Sequence, residues 1–125
     1  MKFFIVDDDP DTLALVSRLL TDAGHEVVVR ASSSGAARDI PEARPDCVIT
    51  DLMMPVMDGF ELISRLRSDP RYLRTPIIVS SGSPDPDSPS RALKLGANAY
   101  FTKPYSPIEL RKKLQRLLKE NDGDA

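Results

Sequence analysis

Three consecutive carboxylates, Asp7, Asp8 and Asp9, stand directly after the apolar run Phe3-Phe4-Ile5-Val6. On an exposed tail, salt would screen such a triplet over about 8 Å. At the end of a buried strand the repulsion must be relieved by a cation, by a raised pKa or by a division of roles. A fourth carboxylate, Asp51, follows a second apolar run, Cys47-Val48-Ile49. Ser80-Ser81-Gly82 follows a third, Ile77 to Val79, and Thr102-Lys103-Pro104 follows a fourth, Ala99 to Phe101. As strands of one sheet, these runs would bring carboxylates, a hydroxyl and an ammonium to a single edge. That donor set suits a hard cation with a phosphate-like anion, because Mg²⁺ takes one or two carboxylates, retains water and bridges to phosphoryl oxygens. Asp51 can then attack phosphorus to form an acyl phosphate, provided the incoming charge is neutralised. The cation supplies one part of that neutralisation, Lys103 a second as a compact point charge, and Ser81 a hydrogen bond to the same oxygens.

The elements that would hold these groups are legible as an alternation of short apolar runs with segments of helical period. A further run, Val27 to Val29, makes five strands, and runs so little broken by polar residues suit a parallel sheet covered on both faces. Leu13, Val16, Leu20 and Ala23 recur at helical spacing before Gly24, which is placed to end that helix. Phe60, Ile63 and Leu66 predict a helix over residues 59 to 68. In the last helix Ser106 stands at N-cap, Pro107 at N1 and Glu109 at N3, and Ile108, Leu110, Leu114, Leu117 and Leu118 form the inward stripe. Two segments are weaker. Gly35 to Ile40 reads as a short helix stopped near Pro41. Ser83 to Pro89 reads as a loop, with Ser88 capping a brief helix that has Pro89 at N1 and runs to about Leu95. The sum is five βα units in an open, doubly wound α/β sheet, with one domain over residues 1–121 and a frayed tail over 122–125.

Composition excludes more than it identifies. In 125 residues, 17 basic and 19 acidic side chains are mixed along the chain, with no nucleic-acid or membrane footprint. The basic cluster Arg111, Lys112, Lys113, Arg116 and Lys119 reads as the solvated face of the last helix. One cysteine, Cys47, rules out an intramolecular disulfide and fits a reducing compartment. No apolar run approaches the roughly 20 residues of a membrane span, and the start shows no signal-peptide pattern, so a cytoplasmic protein is expected.

Taken in order, four motifs resemble the receiver domain of two-component response regulators. They are Asp7-Asp8, then Asp51-Leu52-Met53-Met54-Pro55-Val56-Met57-Asp58-Gly59, then Ser81, then Tyr100-Phe101-Thr102-Lys103-Pro104. The resemblance spans essentially the whole chain and implies a flavodoxin-like (βα)5 fold. It implies that Asp51 accepts a phosphoryl group from a sensor histidine kinase or a histidine phosphotransfer protein. It further implies that Asp8 coordinates Mg²⁺ directly, Asp7 through a water, and Met53 through its backbone carbonyl. Lys103 would contact the carboxylate and then the phosphoryl group, and the following bond to Pro104 is typically cis in the family. Ser81 and Tyr100 match the switch pair, which would reshape a partner-binding face made by the fourth helix, fifth strand and fifth helix. Such a module catalyses its own phosphorylation and dephosphorylation without being a conventional turnover enzyme.

Rival readings stay open at this stage. The chain can be a receiver cut from a larger regulator or hybrid kinase, or a phosphorelay intermediate. A Mg²⁺-dependent aspartyl phosphatase would carry a second Asp two residues after its nucleophile, where this chain has Met53. A flavin module would need a phosphate-cradling loop where Asp7, Asp8 and Asp9 stand. The prolines from Pro84 to Pro89, and a second helix shortened by Pro41, depart from the receiver pattern. Neither Met53 nor Ser83 is an evident base, so a persistent phosphoryl group is expected. Asp58 is read as a cap, Met53, Met54 and Met57 as loop packing, Cys47 and His25 as structural, and Asp9 as the N-cap of the first helix.

Overall fold

The computed structural model describes residues 1–54, 56–104 and 106–123, and the side chains up to residue 117 except those of residues 55 and 105. Its five parallel strands are β1 (Lys2–Val6), β2 (Glu26–Arg30), β3 (Cys47–Thr50), β4 (Ile77–Ser81) and β5 (Ala99–Thr102), in the order β2-β1-β3-β4-β5. Among the described residues five α-helices connect and follow them: α1 (Pro10–Asp22), α2 (Ser33–Ala43), α3 (Gly59–Arg67), α4 (Ser88–Leu95) and α5 (Pro107–Gly123). Strand order reverses between β1 and β3, the point at which open α/β sheets form their sites.

Alternation along each strand builds two cores, one on either face of the sheet. Phe4, Val6, Val48, Ile77 and Val79 pack with Ala36 and Ile40 of α2, Leu62, Ile63 and Leu66 of α3, and Ala92 of α4. Phe3, Ile5, Cys47, Ile49, Ile78 and Phe101 pack with Val16 and Leu20 of α1 and Leu110 and Leu114 of α5. Fully burying side chains of this size stabilises the fold by about 1.5–3 kcal/mol each. Cys47 is sealed in the second core and its thiol is pushed up to about 12 by burial, so its role is packing.

Local signals set most helix ends. Asp9 caps α1, its side chain accepting from the Asp11 N–H at 3.0 Å and from the Thr12 hydroxyl at 2.9 Å. Gly24, at φ 91°, takes the left-handed position just past Ala23. Asp58 caps α3 by accepting from Glu61 N–H at 2.9 Å, and Ser106 caps α5 by accepting from Glu109 N–H at 3.1 Å.

Five expectations are corrected. The second helix is not stopped at Pro41: it starts earlier, capped by Ser32, and continues to Ala43 with Pro41 inside. Ile40 is fully buried and Ala43 packs on the same core, and that tertiary burial outweighs the proline's local preference. Ser88 does not cap α4; Asp87 holds the cap position, and Ser88 is the first helical residue with Pro89 next. Ile108 points outward at 67% exposure, because the inward stripe starts at Leu110. Met53 is 58% exposed rather than packed, unlike Met54 and Met57. Ala23 is likewise exposed, at the helix C-cap. The side chains of Leu118 and Lys119 lie outside the described residues, as do Asp124 and Ala125 of the expected tail, while α5 continues to Gly123.

Candidate functional site

At the strand-order reversal the carboxyl ends of β1 and β3 are joined by the Asp51 N–H, which donates to Val6 O at 2.9 Å. Carboxylate oxygens of Asp7, Asp8 and Asp51 consequently lie within 4.8 Å of one another. Asp7 and Asp51 are buried, at 2% and 7% exposure, while Asp8 faces solvent. Three all-oxygen donors with one open side fit a hard divalent cation that keeps part of its water shell.

Lys103 is brought in from the other end of the sequence. Its N–H donates to Ser81 O at 2.9 Å, which aligns the ends of β5 and β4, and the Lys103–Pro104 bond is cis. The Lys103 Nζ donates to Asp7 Oδ2 at 2.7 Å and lies 3.5 Å from Asp51 Oδ2. Burial pushes the Asp7 carboxyl above its usual range; the Lys103 hydrogen bond and the Asp9 N–H oppose that shift, and the Asp51 charge adds to it. A cavity of about 460 Å³ opens beside Lys103 and Pro104, between Thr12 and Leu15 of α1 and Gly82 beyond β4.

Asp51 itself is fixed from three directions. Its Oδ1 accepts from the N–H groups of Leu52 at 2.7 Å and Met53 at 3.3 Å. Its carbonyl accepts from the Thr50 hydroxyl at 2.8 Å. The first residue of α3, Gly59, donates to Leu52 O at 3.0 Å and lies so close that a Cβ there would stand 2.1 Å from Asp51 O. Helix α3 therefore begins in contact with the acceptor's own backbone, and only glycine permits it.

Asp7, Asp8, Asp51 and Lys103 thus form one cluster. Ser81, fully buried at the end of β4, adjoins it through the Lys103 backbone, and its Oγ accepts from the Ser83 N–H at 3.1 Å. Tyr100 is not in the cluster; it lies opposite Val79 on β5, half-buried against the α4-side core. Asp9 is separate too, being committed to the cap of α1. Sequence reasoning missed two residues. Gly59 carries its signal only as a glycine at a helix start with no need for positive φ, and Val56, a β-branched residue at φ 72° and 97% exposure, carries none.

Residues 3–115 match the model of the response regulator receiver domain. The chemotaxis protein CheY1 of Helicobacter pylori is 35% identical, over 98% of this chain and all of its own length. The transcriptional regulatory protein KdpE of Mycobacterium tuberculosis is 34% identical over 97% of this chain, which spans 52% of it. The chemotaxis response regulator CheY4 of Vibrio cholerae superposes with a TM-score of 0.86 at 36% identity, covering 92% of this chain and 96% of that one. These likenesses favour a receiver over an aspartyl phosphatase, and they agree with an acidic cluster at the strand-order reversal and a lysine reaching it from β5. The chain belongs to the response regulator receiver domains.

Proposed function

We propose that Asp51 is the phosphoacceptor of this receiver, with Asp7, Asp8 and Lys103 as its electrostatic partners and Ser81 as the hydroxyl that meets the transferred group. The observation that carries this reading is the geometry of one carboxylate with two different sides. Oδ1 is held by two backbone N–H groups, and Oδ2 lies 3.5 Å from the Lys103 ammonium. Oδ2 attacks phosphorus, the O–P bond forms, and the P–N bond of a phosphohistidine breaks with its electron pair returning to the ring nitrogen. The ring leaves as neutral imidazole when its other nitrogen carries a proton. As negative charge moves onto Asp51, Lys103 exchanges part of its pairing with Asp7 for the new phosphoryl oxygens.

Asp8, Asp51 and the backbone carbonyl of Met53 would hold Mg²⁺, with Asp7 acting through a water, and the ion supplies charge neutralisation to the phosphoryl oxygens when bound. The phosphoryl donor is a sensor histidine kinase or a histidine phosphotransfer protein. Ser81 and Tyr100 form the switch, and the output surface is the face of α4, β5 and α5, read by a protein partner in the cytoplasm. Neither nucleic acid nor membrane is a direct partner on this reading. Met53 and Ser83 flank the site without a general base, so the acyl phosphate persists.

Incubation with acetyl phosphate and Mg²⁺, followed by intact mass, is the test. One phosphoryl group should be added to the native chain and none to Asp51→Asn; undiminished uptake by that variant would overturn the assignment.

A further inference from the structure

We propose that Ser88, the first residue of α4, is a positioning residue for the Ser81 hydroxyl, acting through Ser83. The proposal rests on the reading that Ser81 meets the transferred phosphoryl group. It adds a residue seven positions along the chain, in another element, to the machinery of that site.

Ser88 is 3% exposed although the four residues before it, 84 to 87, are all exposed. A serine entering a helix ordinarily caps it, yet here the cap position belongs to Asp87, whose side chain makes no cap hydrogen bond. The Ser88 Oγ instead lies 3.0 Å from Ser83 Oγ, outside the helix. Ser83 Oγ also accepts from the Asp85 N–H at 3.3 Å, so the Ser83 side chain is held at two points. From that residue the backbone N–H donates to Ser81 Oγ at 3.1 Å.

A hydroxyl has one proton to give and two lone pairs to receive with. Ser83 N–H engages one lone pair of Ser81 Oγ, which narrows the directions in which Ser81 can send its proton. The direction of that N–H follows from the backbone of Ser83, and the Ser83 side chain is pinned by Ser88. Pro84 and Pro86 lie between the two ends of this clamp with φ restricted by their rings, so a displacement at Ser88 is passed to Ser83 instead of being absorbed in the loop. The start of α4 and the orientation of Ser81 are thereby one linked unit.

The test is a double-mutant cycle on the full chain, with acetyl phosphate and Mg²⁺ and the uptake rate read by intact mass over time. Ser88→Ala should lower the limiting rate by about three- to tenfold, the range for one lost hydrogen bond. The acetyl phosphate concentration at half-maximal rate should be unchanged, because Ser88 does not touch the donor. Ser88→Thr, which keeps the hydroxyl, should recover most of the loss. The Ser81→Ala/Ser88→Ala double variant should be no slower than Ser81→Ala, since Ser88 acts only through the hydroxyl already removed. A wild-type rate for Ser88→Ala, or a loss that adds in full to that of Ser81→Ala, would overturn the proposal. Should Ser88→Ala fail to fold in a thermal melt, Ser83→Ala removes the same hydroxyl pair from the other side and takes its place in the cycle. Absence of uptake by the native chain is a different failure: it would remove the reading of Asp51, and this inference with it.

Discussion

Val56 holds φ at 72° with 97% of its surface in water, so it carries backbone strain without any buried area in return. A left-handed conformation costs an L-residue about 1–2 kcal/mol, whereas asparagine visits it readily and avoids glycine's entropy loss. Val56→Asn is therefore expected to stabilise the fold by about 1 kcal/mol, read as a rise of about 4 °C in Tm. A lower Tm would show that the valine side chain has a role within the fold. Residues of this kind are where sequence reading stops: nothing in Val56's type announces its φ. Gly59 is similar, since its requirement comes from Asp51 O standing where a Cβ would be. Asp7, Asp8, Asp51 and Lys103 are legible for the opposite reason. Each stands within two residues of the end of a short apolar run, and a polar residue just past a buried parallel strand comes out at the same edge of the sheet.

Between elements, the bonds that matter are the ones local sequence does not advertise. Arg67, the last residue of α3, donates to Gly96 O at 3.0 Å, to Asn98 Oδ1 at 2.9 Å and to Tyr72 O. Asn98 in turn accepts from the Ile77 N–H at 2.8 Å, so a single guanidinium ties α3, the end of α4 and the start of β4. Lysine cannot reproduce that fork, and Arg67→Lys should cost about 2 kcal/mol in urea unfolding. Gly96 and Asn98 lie 29 and 31 residues from Arg67, beyond any window of periodicity. A second tie joins β2 to α2, where Arg38 and Arg30 hold the Asp39 carboxyl below its ordinary 3.8. A depressed folded pKa gives stability that is present above the unfolded value and lost as pH falls through the folded one. The Tm difference between the native chain and Asp39→Asn should therefore shrink on acidification below about pH 4, and a constant difference would show that the pair does not titrate with folding. Helix α2 also shows how a strong local signal can mislead. Pro41 reads as a stop, but the helix runs on to Ala43, which packs on the same core as Ile40.

For the molecule as a whole, the acidic cluster is a cost that a bound cation would relieve. Three carboxylates with oxygens within 4.8 Å of one another repel wherever all are ionised, and the single Lys103 ammonium at Asp7 and Asp51 offsets only one of the three charges. Mg²⁺ bound only to the folded chain should stabilise it by RT ln(1 + [L]/Kd), about 2.7 kcal/mol at 100 Kd. The gain should be visible as a rising Tm across a Mg²⁺ titration and be sharply reduced in Asp8→Asn. A flat titration of the native chain would exclude these carboxylates as ligands.

The sheet order has one more consequence. β5 is an edge strand, and its successive residues belong to opposite halves of the molecule: Tyr100 packs on the α4-side core and Phe101 on the α5-side core. The inner strands share that alternation but have no open side, and β5 has one. A protein seated along β5 would touch both halves at once, so its grip would report a conjunction, with each interior in its proper arrangement, and a disturbance confined to either side would be enough to loosen it.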